Sequence, residues 1–192
     1  PTETLPLGGL RVDGIDATIE HGRFIAPGGY AVVAESLPGY QSSYGNAEAV
    51  VGVFNGALDN GGETLSLQWT QGTNTIVLDQ VTYSDDPPWP AAADGAGASL
   101  QLINVSRDNA RIGNWNVIAP GSTSPLATPG RTNNVTAPLP EFPLLWFNEL
   151  MPSNATVLAD NAGEFDPWIE LFNAGTTAID RTGCYLSNDP SN

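Results

Sequence analysis

Apolar positions along the chain recur in short runs, and glycine, proline, asparagine or aspartate ends each run. Tyr30–Ala34 (YAVVA) follows Pro27-Gly28-Gly29, and Val50–Phe54 (VVGVF) comes next. Thr64–Trp69 (TLSLQW) alternates residue by residue, which puts Leu65, Leu67 and Trp69 on one face of a strand. The preceding Asp59-Asn60-Gly61-Gly62 tolerates positive φ and predicts a tight reversal. Thr75–Tyr83 (TIVLDQVTY) lies beyond Gln71-Gly72, so it and the run before read as a hairpin. Ser99–Ile103 (SLQLI) follows a glycine-rich loop from Asp94 to Ala98, and Trp115 sits in a short apolar patch. Turn signals then accumulate at Pro120-Gly121, Pro125 and Thr128-Pro129-Gly130. Residues 134–143 (NVTAPLPEFP) hold three prolines and predict a stiff, extended linker. Beyond it come Leu144–Leu150 (LLWFNEL), a polar loop to Asp166, and Trp168–Asn173 (WIELFN) with Ile169 and Leu171 on one face. A turn at Ala174-Gly175 leads to Cys184–Ser187 (CYLS). Short strands at this spacing, with no recurring helical period, predict an all-β sandwich.

Composition narrows the function classes. The 192 residues, 41% hydrophobic, suffice for one large domain or two small ones. The net charge is -15, and all six basic residues are arginines (Arg11, Arg23, Arg107, Arg111, Arg131, Arg181). Nucleic-acid phosphates and anionic membranes both require a basic patch, so neither is an expected partner. Nor does any apolar run approach the roughly 20 residues of a membrane-spanning helix, so no membrane insertion is expected. An acidic exterior suits solubility, multivalent cations or a salty medium. The single Cys184 excludes an intrachain disulfide and is expected to be a small buried apolar group.

Catalytic groupings are sparse, and no enzyme is expected. His21 is the single histidine and is expected on a surface turn near Glu20 and Arg23, which excludes a multi-histidine zinc site. No Ser-His-Asp or Cys-His spacing stands out, and Gly61-Gly62 opens a strand where a phosphate loop would open a helix. The densest oxygen-rich cluster is Asp160, Asn161, Glu164 and Asp166, a candidate Ca²⁺ loop; the competing reading is a solvated turn whose side chains bond nearby amides. Asp85-Asp86 before Pro87 is a second such place. Glu170, on one face with Trp168 and Phe172, is expected to accept hydrogen bonds from a neighbouring loop or an arginine. Trp69, Trp89, Trp115, Trp146 and Trp168 read either as a sugar-stacking platform or as core and seam residues. Asn104, Asn134 and Asn154 each begin an N-glycosylation pattern.

The end of the chain resembles the start of lamin-tail domains. Phe147-Asn148-Glu149-Leu150-Met151 matches their opening apolar strand, which ends in Asn-Glu. Asp166-Pro167-Trp168-Ile169-Glu170-Leu171-Phe172-Asn173 matches their next strand, and Asp180, Gly183 and Tyr185-Leu186-Ser187 follow in family order. Arg181 departs from the pattern, where the family has an apolar residue. The beginning of the chain is similar to the remainder of such a domain: Ile25-Ala26-Pro27-Gly28-Gly29-Tyr30, Leu58-Asp59-Asn60-Gly61-Gly62-Glu63, Val81-Thr82-Tyr83, Pro88-Trp89-Pro90, Ala98-Ser99-Leu100, Asn114-Trp115 and Thr128-Pro129-Gly130 before Asn133. Each motif alone is weak, and their ordered succession is specific.

The resemblance implies an immunoglobulin-like β-sandwich in circularly permuted order, in which Asn192 reads on into Pro1 as continuous family sequence. Residues 1–133 are then the body of a sandwich lacking its first strands, 134–143 the linker, and 144–192 the first strands. Three routes join the parts: folding back on the same chain, completion of a neighbouring copy, or repetition in a covalent array. Leu144, Leu145, Trp146, Phe147, Trp168, Ile169 and Leu171 are the expected assembly residues, with other copies of the chain as partners. The expected role is a non-catalytic extracellular or cell-surface structural module, a fibre or tandem-repeat subunit joined by strand complementation. The alternative is an accessory carbohydrate- or calcium-binding module of a secreted enzyme or adhesin.

Overall fold

The computed structural model describes residues 3–19, 21–45, 47–139 and 144–187. It divides the chain into two compact units, Pro1–Leu139 and Pro140–Asn192, and the division falls inside the proline-rich stretch. Linker residues 140–143 and the junction of Asn192 with Pro1 lie outside the described residues.

The first unit contains β1 (Leu5–Pro6), β2 (Leu10–Asp13), β3 (Asp16–Ile19), β4 (Phe24–Ile25), β5 (Val32–Ala34), β6 (Val50–Asn55), β7 (Gly62–Gln71), β8 (Asn74–Ser84), β9 (Gln101–Leu102) and β10 (Trp115–Asn116). Six of these form one sheet in the order β5-β6-β3-β2-β7-β8, antiparallel except for the β5–β6 pair. β1 pairs with β4 and β9 with β10. Strand is the predominant regular structure, with one α-helix among the described residues, in keeping with the expected all-β class.

The expected hairpin is the longest feature of the sheet. β7 and β8 pair from Gly62↔Ser84 to Gln71↔Asn74, with a turn at Gly72. A bulge between Leu67 and Gln68 leaves Leu78 of β8 as an extra residue, so the shared face of Leu65 and Leu67 does not continue regularly along β8. Leu65 and Leu67 are half-buried, whereas the far end of the arm, from Gly72 to Gln80, is exposed. The reversal at Asp59–Gly62 forms where the sequence predicts it. Asp59 Oδ1 accepts from the Gly61 N–H at 2.8 Å, and the Gly62 N–H donates to the Asp59 carbonyl at 3.2 Å. Gly62 needs its missing side chain: its φ is 113°, and a Cβ would lie 2.4 Å from the Tyr83 carbonyl oxygen.

Two strands in the middle of the sheet carry no signal the sequence reading used. β2 and β3 slot between β6 and β7, joined by a short turn at Gly14-Ile15. Gly14 (φ 103°) lets that turn approach the Thr64 carbonyl, which a Cβ would meet at 2.6 Å. The helix α1 (Leu37–Tyr44) was not expected either. Ser36 caps it by accepting from the Gly39 N–H at 3.2 Å, Pro38 sits in its first turn, and Gly45 ends it in a left-handed conformation. The helix sets Tyr40 into a small core with Ala34 and Val50, flanked by Val32.

Among the described residues the other buried apolar side chains are Leu7, Ala17, Val51, Trp89, Ala98 and Val135, all in the first unit. The irregular segment after β10 is pinned by polar contacts. Gln101, 3% exposed, accepts from the Asn134 N–H at 3.0 Å and the Thr128 hydroxyl at 3.3 Å, and Asn133 donates to the Leu102 carbonyl at 3.0 Å.

In the second unit, β11 (Leu145–Met151) pairs antiparallel with β12 (Trp168–Asn173). Two expectations fail beyond it. CYLS forms no strand, and Cys184 is exposed. Among the described residues the sheet here has two strands, and the run pairs with neither of them. A polar turn, in which Asp180 accepts from the Thr182 amide at 2.9 Å and its hydroxyl at 2.7 Å, leads into the run.

Candidate assembly surface

The β11–β12 hairpin collects all the expected assembly residues except Leu144, which immediately precedes it. Cross-strand partners are Leu145↔Asn173, Trp146↔Phe172, Phe147↔Leu171, Glu149↔Glu170, Leu150↔Ile169 and Met151↔Trp168. A bulge at Asn148 shifts the alternation by one residue. The shift brings Leu145, Phe147, Leu150, Ile169 and Leu171 onto one face. Trp146, Phe172, Met151 and Trp168 share the other face with Glu149 and Glu170.

Both faces therefore carry large apolar side chains, many of them exposed. Trp146, Phe147, Leu150, Ile169 and Phe172 are between 41% and 62% exposed, and Leu144 stands at 50%. No apolar side chain of this unit is fully buried among the described residues; the one buried residue is polar, Asn154. Asn154 organises the loop between the strands by donating to the carbonyls of Leu158 and Asp166. The indole N–H of Trp168 is buried without an acceptor among the described residues. Glu149 and Glu170 face each other as like charges, an unfavourable pairing. The Asn148 side-chain amide in the bulge donates to Glu170, so the strand carboxylate does accept a hydrogen bond, from the adjacent strand.

Asp160, Glu164 and Asp166 bring carboxylate oxygens within 4.8 Å of one another, all exposed, with Asn161 exposed in the same turn. One oxygen of Asp160 is already engaged, accepting from the Ala162 N–H at 2.8 Å and the Glu164 N–H at 2.9 Å. These contacts are those of a backbone-bonding turn. A calcium ion takes six to eight oxygens, more than three carboxylates supply singly. Asp85 and Asp86 are exposed, and the Asp86 N–H donates to the Ser84 hydroxyl at 3.1 Å. His21 is exposed in a turn, as expected, while Glu20 lies outside the described residues.

The three tryptophans of the first unit do not form one platform. Within the first unit, Trp89 is buried and lies 6.3 Å from Trp115, whose N–H donates to the Asn109 carbonyl at 2.7 Å, while Trp69 is exposed far along the β7–β8 arm. Trp89 and Trp115 line an apolar cleft of about 460 Å³ together with Leu58, Leu65, Val81 and Leu100. At its rim the Tyr83 hydroxyl contacts both the Asp59 carbonyl and Glu63 Oε1 at 2.8 Å. Burial first, and then the hydrogen bond and charge of Glu63, push the Tyr83 phenol above its ordinary value. Of the three glycosylation patterns, Asn104 is exposed, Asn134 half-buried and Asn154 buried.

Sequence reasoning missed one surface. Ile76, Val77 and Leu78 of β8 are 52–55% exposed, beside Trp69 at 39%. Three consecutive apolar residues cannot all share one face of a strand, and that break in alternation was the available signal. Compared with protein-family models, curated proteins and solved structures, the chain matches none.

Proposed function

We propose that this chain is a non-catalytic structural module that assembles with its own kind. In this reading it carries the parts of one lamin-tail-like, immunoglobulin-like sandwich in permuted order. The hairpin β11–β12 supplies the first strands to a neighbouring copy, at the cell surface or outside the cell. The observation that carries it is the hairpin itself: two strands with large, exposed apolar side chains on both faces and no third strand beside them among the described residues. An isolated two-stranded hairpin is marginal in water, and a strand apolar on both faces belongs inside a layered structure. The family resemblance on Phe147–Met151 and Asp166–Asn173 points the same way. Size-exclusion chromatography with light scattering, followed by electron microscopy, tests it. Concentration-dependent oligomers or filaments are expected, lost in Phe147→Asp; a stable monomer at all concentrations would overturn the proposal.

A second reading, an accessory calcium- or carbohydrate-binding module of a secreted enzyme or adhesin, would place calcium at the exposed carboxylates of Asp160, Glu164 and Asp166. Calcium titration and a glycan array separate the two, because neither ligand is required for strand complementation.

A further inference from the structure

The six-stranded sheet has two edges, and they differ. β5 is three residues long, buried or half-buried, and packed against α1 through Ala34 and Tyr40. β8 is eleven residues long and exposed from Asn74 to Gln80. Natural sheets shorten, charge or cover their edges, because an unpaired row of backbone N–H and C=O groups recruits another strand. β5 follows that rule. β8 is blunted by the bulge at Leu78 and by Asp79, whose carboxylate accepts from the Asn109 side-chain amide at 2.8 and 3.0 Å, and it presents Ile76, Val77 and Leu78 to solvent beside Trp69.

We infer that this stretch of β8, with Trp69, is the acceptor for the β11–β12 hairpin of a second copy. This rests on the self-assembly proposed above and names its docking edge. The occupant must offer an unpaired strand edge and apolar side chains together. Among the described residues the hairpin offers both: β11 and β12 pair only with each other, and each keeps one open edge. The areas correspond as well. At about 200 Å² per large apolar side chain, the exposed parts of Trp146, Phe147, Leu150, Ile169 and Phe172 come to roughly 500 Å². Those of Trp69, Ile76, Val77 and Leu78 come to roughly 400 Å² on the same basis. Together these come to roughly 900 Å², divided between the two faces of each strand pair and below the ~1,200 Å² at which standard stable interfaces begin, so the backbone along the paired strands must supply the rest.

A complementation experiment tests this. Ile76→Glu with Leu78→Glu blocks the acceptor, and Phe147→Asp with Leu150→Asp blocks the donor. Each variant alone should stay monomeric, with self-association weakened at least 100-fold. Mixed in equal amounts they should form one heterodimer and nothing larger, because each retains the half that the other lacks. If the wild type associates and the donor variant does not, but the acceptor variant assembles like wild type, the β8 edge is wrong and self-assembly stands. A mixture that stays monomeric also overturns the inference. A monomeric wild type overturns the underlying proposal. Val77→Lys, a single exposed change, repeats the acceptor test should the double variant lose its β-sheet circular dichroism.

Discussion

Replacing Tyr83 by phenylalanine isolates the contact that ties β8 to the turn before β7. The hydroxyl shares its proton between the Asp59 carbonyl and the Glu63 carboxylate, both at 2.8 Å. A hydrogen bond to a charged acceptor contributes about 1.5–3 kcal/mol net, one to a neutral carbonyl about 0.5–1.5 kcal/mol. Tyr83 is half-buried, so water replaces part of what is lost, and Glu63 keeps the Asp59 N–H at 3.0 Å. Tyr83→Phe should therefore cost about 1–2 kcal/mol at neutral pH. The pH dependence carries a second signature. The folded state holds the phenol above its ordinary 10.0, so folding favours the protonated form. That contribution is complete below about pH 10 and is lost as pH rises toward the higher folded value. The gap between wild type and Tyr83→Phe should then narrow above about pH 10. Urea unfolding followed by tryptophan fluorescence, where Trp89 and Trp115 report on the first unit, measures both. A variant within about 0.3 kcal/mol of wild type at neutral pH, with a gap unchanged up to about pH 11.5, would refute the reasoning.

Two further changes probe other parts. Asn114 is 3% exposed; its amide donates to the carbonyls of Asn104, Arg107 and Asp108 and accepts from the Asn104 N–H. Asn114→Ala should cost about 2–4 kcal/mol by urea denaturation, because four backbone groups lose a partner in a poorly hydrated place. Asp160→Ala should speed hydrogen exchange at the Ala162 and Glu164 amides by several-fold, whereas Asp160→Asn, which keeps an accepting oxygen, should leave both nearly unchanged. Equal effects of the two would show that the charge, and not the turn, organises the loop.

The hairpins were the most legible part of the fold. Alternation in Thr64–Trp69, the Gln71-Gly72 turn and the matching run at Thr75–Tyr83 are local features, and β7–β8 follows from them. The pairing of LLWFNEL with WIELFN spans a longer loop, but both runs are strongly apolar and form β11–β12. The order of the large sheet was not legible. β2 and β3 separate β6 from β7, a non-local arrangement that no local pattern encodes, and Leu10–Asp13 carries only two apolar residues. The helix α1 had caps to be found at Ser36 and Gly45, but its eight residues include Pro38 and Gly39, poor interior helix formers. CYLS reads as a strand by composition and lacks a neighbouring strand in its unit. For the candidate surface, the hairpin residues were all named from the sequence. The face each one occupies depends on the Asn148 bulge, which alternation alone does not predict.

In the assembly proposed above, a bare β8 edge and a bare hairpin on each copy would make the subunit one-directional. Each copy would then give and receive one contact, always with the same polarity. A chain truncated before Leu144 would then behave as a stopper: able to take a neighbour's hairpin, unable to hand one on. The ratio of truncated to whole chains would set the mean length of the polymer, as a chain terminator does in synthesis.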